Sequence, residues 1–371
     1  MPSLINHSPA PAQRLISLDV FRGITMFLLI GEAAGFHASF TGLFQEGSWI
    51  FSLAEQLHHH PWNGLRFWDL IQPFFMFIVG VAMPFSLRKR LTTGTYGQAF
   101  RHILVRCFIL FLLGTGLHCV YNQRLVWELW NVLTQLSFTI LITFLLMRLP
   151  FRFQLIASLL LLLLTEILYR AYAPEAPFIK DENFGSWMDM VLMGKINPGG
   201  GWVTINCLPT AAHTIWGALC GQLILSGQTA RFKLRALAIS GIALLILGYG
   251  LDILSITPIV KRIATTSFVF SSGGWCLLTL AWCYWWVDIK GHKKWTTFFT
   301  IVGMNPIFIY LISETVGKQW VWGFVQIFND GILGFAGLPA NFLLFTNALI
   351  TWFIFWYLCY FLYQKRIFFK I

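Results

Sequence analysis

The chain has 371 residues, of which 57% are hydrophobic, 17% aromatic and only 11% Asp, Glu, Lys or Arg. A soluble domain carries about a quarter charged residues, so this composition excludes a sizeable soluble unit and points to a polytopic membrane protein. The net charge of +11 sits in the loops between apolar runs, which excludes nucleic acid as a partner and makes the lipid bilayer the expected surround.

Taken in chain order, the apolar runs predict an all-α bundle of about ten transmembrane helices. They cover roughly 17–38, 67–87, 103–121, 131–148, 153–172, 205–225, 236–253, 263–288, 297–316 and 341–363. The domain plan is a cytoplasmic tail over 1–16, one integral domain over 17–363 and a cytoplasmic tail over 364–371. Asp19, Arg22 and Glu32 interrupt the first run, so it is expected to remain as a span and not to be cleaved as a signal peptide. With the amino terminus inside, 17 of the 26 Lys and Arg residues fall on the cytoplasmic side and eight on the other, with Arg22 within the first span. Both termini are therefore expected to face the cytoplasm.

Trp49, Ile50, Leu53 and Leu57 recur at helical spacing, predicting an amphipathic helix over 48–60 that lies on the outer membrane surface and ends at Pro61. It carries His58, His59 and His60. On such a helix Glu55 stands four residues before His59 and three before His58, where either pairing orients an imidazole and raises its basicity. Asp69 opens the next span, and a carboxylate there is the other candidate partner. Three consecutive histidines diverge by about 100° on a helix and do not converge on a metal. No metal-ligand spacing is present, and the seven cysteines lie in or near spans as packing residues.

Polar groups at membrane depth are costly, about 2.5–3.5 kcal/mol each on insertion scales, and so mark candidate sites. They are Asp19, Arg22, Glu32, Asp69, Glu166, His213, Asp252, Asn305 and Glu314. Asp19 and Arg22 also suit an internal ion pair, Glu166 and Asp252 also suit contact with water at span ends, and His213 also suits a satisfied interior histidine.

The run Arg14-Leu-Ile-Ser-Leu-Asp-Val-Phe-Arg-Gly-Ile24 resembles the opening of the heparan-α-glucosaminide N-acetyltransferase family and its bacterial NagX-like members. The stretch His59-His-Pro-Trp-Asn-Gly-Leu65, with Asp69 and Pro73-Phe-Phe-Met-Phe-Ile-Val-Gly80, is similar to its second block, where a histidine precedes the Trp-Asn-Gly-Leu tryptophan by three residues. Pro258 to Val269, Gly303 to Glu314 and Tyr363 to Ile371 fit further blocks in order, although Val260 and Ala264 stand where relatives tend to have Asn and Trp. The resemblance implies acetyl-CoA as co-substrate, transfer of its acetyl group across the membrane to a glucosamine amine, and a homodimer. It places the catalytic histidine at His59 and carries over no other role; Glu55 or Asp69 is the expected orienting carboxylate.

The expected acceptor-binding residues are Trp62, Asn63, Glu32, His213, Lys261, Ser267, Asn305 and Glu314. Arg88, Arg90 and Arg101 are expected to meet the nucleotide phosphates of CoA at the cytoplasmic rim. A histidine can take the proton an amine must lose before it attacks a thioester, or can carry the acyl group itself. The rival reading is an amino-sugar or oligosaccharide transporter, in which Glu32 and Glu314 serve proton coupling.

Overall fold

The computed structural model describes residues 15–369, so Arg14 and most of the expected amino-terminal tail lie outside the described residues, as do Lys370 and Ile371. The fold is all-α. Among the described residues the nearest thing to a strand is one antiparallel bridge, between Asn63 and Val260. In chain order the helices are α1 (Ile16–Ala33), α2 (Phe36–Thr41), α3 (Trp49–Glu55), α4 (Ile71–Leu91), α5 (Tyr96–Asn122), α6 (Val132–Leu146), α7 (Phe151–Tyr172) and α8 (Phe184–Met193). They continue with α9 (Cys207–Leu225), α10 (Ala230–Ile253), α11 (Thr266–Cys283), α12 (Thr296–Gly303), α13 (Pro306–Ile312), α14 (Trp322–Leu333) and α15 (Ala340–Gln364).

Every expected span coincides with a helix, but fewer are long and apolar enough to cross a membrane by themselves. Six qualify: Phe67–Leu91, Tyr96–Asn122, Phe151–Tyr172, Ala230–Ile253, Thr266–Ile289 and Ala340–Gln364. A seventh, Thr296–Gly303 with Pro306–Leu333, bends by 74° at its break. Pro306 removes a helical N–H and disfavours a helical conformation at Asn305, which explains the break. Of the remaining three, α6 is short, α1 carries Asp19, Arg22 and Glu32, and α9 carries Thr210, His213, Thr214 and Gln222. Such polar content fits helices screened from lipid by their neighbours.

That screening is visible in the packing. α4, α9 and α11 are largely buried, whereas α7 and α10 turn most of their apolar side chains outward. Where lipid tails are as apolar as leucine, helices associate through close backbone approach at small residues. Gly217 and Gly221, spaced as GxxxG on α9, face Gly80 and Val81 on α4. A Cβ at Gly217 would collide with the Phe77 carbonyl, and one at Gly80 with that of Thr214.

The amino-terminal surface helix is shorter than its periodicity predicts. Ser48 caps α3 by accepting a hydrogen bond from the Phe51 N–H at 3.2 Å. Trp49 and Leu53 stay exposed, at 73% and 61%, as an interfacial helix requires. The helix ends at Glu55, and the histidines follow in turns that lead to a short 3-10 segment, Phe67–Leu70, ahead of α4.

Candidate active site

Because α3 ends before the histidines, the helical spacing that would pair Glu55 with His59 is lost. Glu55 instead takes the Arg66 guanidinium, at 2.5 Å. Asp69 is the carboxylate that reaches His59, its Oδ1 lying 2.9 Å from Nδ1. Oδ2 accepts the backbone N–H groups of His60 at 3.1 Å and Arg66 at 3.0 Å. Arg66 also donates to the His59 carbonyl at 3.2 Å. Asp69 is buried at the amino-terminal end of a helix, where backbone N–H groups stabilise negative charge.

A second loop meets this one. The Asn63–Val260 bridge and a Gly64 N–H to Ile259 carbonyl bond of 2.8 Å dock residues 258–265 against the His59 turn. Gly64 has φ +146°, and a side chain there would strike the His60 ring, so this tight passage requires glycine. Docking brings Lys261 Nζ to 3.1 Å from His59 Nδ1 and 3.6 Å from Asp69 Oδ1. Trp202 packs edge-on against His59 at 5.7 Å and lies under the charges of Lys261 and Arg262.

Burial, then the Lys261 charge, holds the His59 imidazole down to about 4, although the Asp69 carboxylate pulls the other way. Burial likewise pushes the Lys261 ammonium down to about 8 against the pull of Asp69 and Glu32. At neutral pH His59 is therefore a neutral imidazole whose Nδ1 is engaged. Its remaining nitrogen, Nε2, is left for chemistry.

His59 lines a cavity of about 390 Å³. Met26, Leu29, Ile71, Phe75 and Val132 give the lining its apolar part, and Glu32, Lys261, Glu314, Lys318, His118, Tyr121, Asn131 and Asn197 its polar part. Glu314 is already engaged, accepting from Tyr121 and Lys318, both at 2.8 Å. Trp68, Trp130 and Trp202 supply aromatic surface. A smaller cavity of about 110 Å³ is lined by Arg22, Arg90 and Arg106, and Phe75 belongs to the walls of both.

Other expected site residues lie elsewhere. Trp62 packs outside the cavity and donates to the Phe178 carbonyl at 3.0 Å, while Asn63 is exposed in the bridge. His213 is fully buried, away from this cavity, with Nε2 2.9 Å from Ser272 Oγ. Ser267 is buried and donates to the Pro258 carbonyl at 2.6 Å, bracing the Lys261 loop. Asn305 is spent on the carboxy-terminal tail, donating to Ile367 at 3.0 Å and accepting from the Phe369 N–H at 2.8 Å. Arg88 and Arg101 are exposed, so Arg90 alone of the three expected arginines lines a cavity. Of the three histidines, His58 meets Thr41 Oγ1 at 2.9 Å and His60 lies under Gly64, which leaves only His59 on the cavity.

A half-buried histidine, paired with a buried carboxylate, lines a cavity within a helical bundle whose long apolar helices suit a membrane. The family profile for heparan-alpha-glucosaminide N-acetyltransferase, catalytic, matches residues 14–256, and the chain belongs to that family of membrane N-acetyltransferases. His59 and Asp69 fall within the matched stretch, whereas Lys261 and Glu314 lie beyond it. No curated protein matches the chain significantly.

Proposed function

We propose that this protein resides in a bacterial inner membrane with both termini cytoplasmic, and moves an acetyl or other short acyl group from cytoplasmic acetyl-CoA to the amine of a glucosamine-like sugar on the periplasmic side. The observation that carries the reading is the His59–Asp69 pair, 2.9 Å apart through Nδ1, on the lining of the cavity. His59 Nε2 takes a proton from the acceptor amine, the freed nitrogen attacks the thioester carbon, and the C–S bond breaks. The imidazolium then returns its proton to the thiolate. In the other order, Nε2 attacks the thioester first and expels the CoA thiolate, and the amine then takes the acyl group from the imidazole, its released proton ending on the thiolate. Asp69 holds the ring in both.

The arginine-lined inner cavity supports entry of the donor from the cytoplasm. Arg22, Arg90 and Arg106 suit the phosphates of a nucleotide thioester, and the wall shared at Phe75 sets the acyl end toward His59.

The test is release of free CoA thiol from acetyl-CoA by purified protein in nanodiscs, with and without glucosamine. Release that depends on the acceptor and is lost in His59→Ala is the expected result. Release that survives in His59→Ala removes His59 from the chemistry. No release with any amine, alongside uptake of glucosamine into vesicles without CoA, replaces the reading with a transporter.

A further inference from the structure

The cavity holds a second histidine–carboxylate pair. His118, near the end of α5, places Nδ1 2.6 Å from Glu128 Oε2 in the loop before α6. Glu128 is only 7% exposed, and it is also bound by Lys195 Nζ at 2.6 Å and Asn122 Nδ2 at 3.2 Å. The cluster repeats the chemistry of His59, Asp69 and Lys261, with an imidazole, a buried carboxylate and a lysine. As at His59, the carboxylate occupies Nδ1, and the imidazole forms part of the cavity lining.

We propose that His118, oriented by Glu128 and Lys195, binds hydroxyl groups of the acceptor and so selects a hydroxylated ring amine; this rests on the transfer reading above. An ion-paired staple between α5 and its neighbouring loops needs Glu128 and a cation. It has no need of an imidazole, nor of a second ring nitrogen beside Nδ1, on the lining of a cavity. A hydroxyl both donates and accepts, so it can pair with that nitrogen in either protonation state of the ring.

The neighbouring surface suits a sugar. Trp130 lies 6.2 Å from His118 and is fixed by its Nε1–H, which donates to the buried Asp189 carboxylate at 2.6 Å. Asp189 also accepts the Thr204 N–H at 3.1 Å, so the indole is held from behind. A fixed aromatic plate beside convergent polar groups is the arrangement that receives the apolar face of a pyranose while its hydroxyls are paired. Burial opposes charge on Glu128, but the bonds from Lys195 and His118 prevail and hold its carboxyl below the usual range. The partner of His118 is therefore anionic at neutral pH.

The experiment compares two amines, glucosamine and cyclohexylamine, a ring amine without hydroxyls. In His118→Ala and Glu128→Gln, kcat/KM for glucosamine is expected to fall about 10- to 100-fold, and that for cyclohexylamine less than about threefold. Because folding damage lowers both, the ratio separates recognition from structure. An equal fall for both amines, or no fall for glucosamine, overturns the proposal. Glucosamine binding, measured by calorimetry without acyl-CoA, isolates the subsite from the transfer. Wild-type binding that is lost in His118→Ala supports the subsite even if no acyl group moves, in which case the transfer reading fails alone. Transfer that proceeds with unchanged glucosamine binding in His118→Ala rejects the subsite alone. Absence of wild-type glucosamine binding rejects it as well.

Discussion

Four groups converge on the Asp69 carboxylate: the His59 ring, two backbone N–H groups and, further off, Lys261. A carboxylate so held fixes the imidazole plane, and without it the ring is free to turn. Replacement by Asn keeps the shape but loses the charge. Asp69→Asn is expected to lower kcat by about 100-fold or more, in the range general-base catalysis contributes, with little change in donor KM. The pH dependence follows from the environment of His59. The reaction needs the neutral ring, and the folded site lowers its pKa to about 4. The acid limb that belongs to His59 should therefore lie near 4, well below the 6.5 of a free histidine, and a decline at higher pH belongs to protonation of the acceptor amine. Lys261 is one of the groups that lower this value, so Lys261→Met should move the acid limb upward. A limb that stays in place would remove Lys261 from the tuning.

The sequence made His59 legible through its resemblance and made Asp69 legible as a carboxylate where lipid was expected. Choosing Asp69 over Glu55 needed the helix end at Glu55, which apolar spacing could not locate because Leu57 continues the pattern into a turn. His118, Glu128 and Lys195 escaped notice because they are polar residues near span ends, where contact with water is the ordinary expectation. The one available signal was Glu128, a lone acid among Leu125, Val126, Trp127, Leu129 and Trp130.

Among the elements, one of the tightest constraints is the α4–α9 contact. Gly217 and Gly80 stand where backbone touches backbone, so Gly217→Val forces the helices apart, and with them the base of the His59 site on α4. The expected result is a protein that no longer gives a monodisperse peak in detergent, while Gly250→Ala, at an open position, does. The broken span gives a milder prediction. Asn305 binds the tail at Ile367 and Phe369, and Phe308 stacks on Phe369 at 4.4 Å. Two lost bonds of about 1 kcal/mol each make Asn305→Ala less thermally stable, with KM for both substrates unchanged. A raised KM would instead return Asn305 to the substrate site. The helical segments were readable from apolar runs, but the bend was not: Pro306 is compatible with either a helix start or a kink, and the apolar pattern carries no sign of the 74° angle.

For the molecule as a whole, composition established the membrane class, and charge asymmetry supplied an orientation that awaits test. A cysteine in place of Asp181 should react with an impermeant maleimide added outside intact cells, and one in place of Lys294 only after lysis; the opposite pattern inverts the orientation. What one-dimensional periodicity could not convey was that α1 and α9, with their polar side chains, are largely buried among other helices. They tolerate Asp19, Arg22, Glu32 and His213 because other helices, and not lipid, surround them.

Phe75 carries a burden apart from chemistry. It belongs to the wall of both cavities, so in the proposed orientation it helps form the thin partition between cytoplasm and periplasm. A passage for an acyl group is also a potential leak for protons, and a cell that lives on its proton gradient pays for each one. On that proposal the aromatic ring acts as insulation. Shaving it to Ala should make proteoliposomes lose an imposed pH gradient faster than those holding the intact protein.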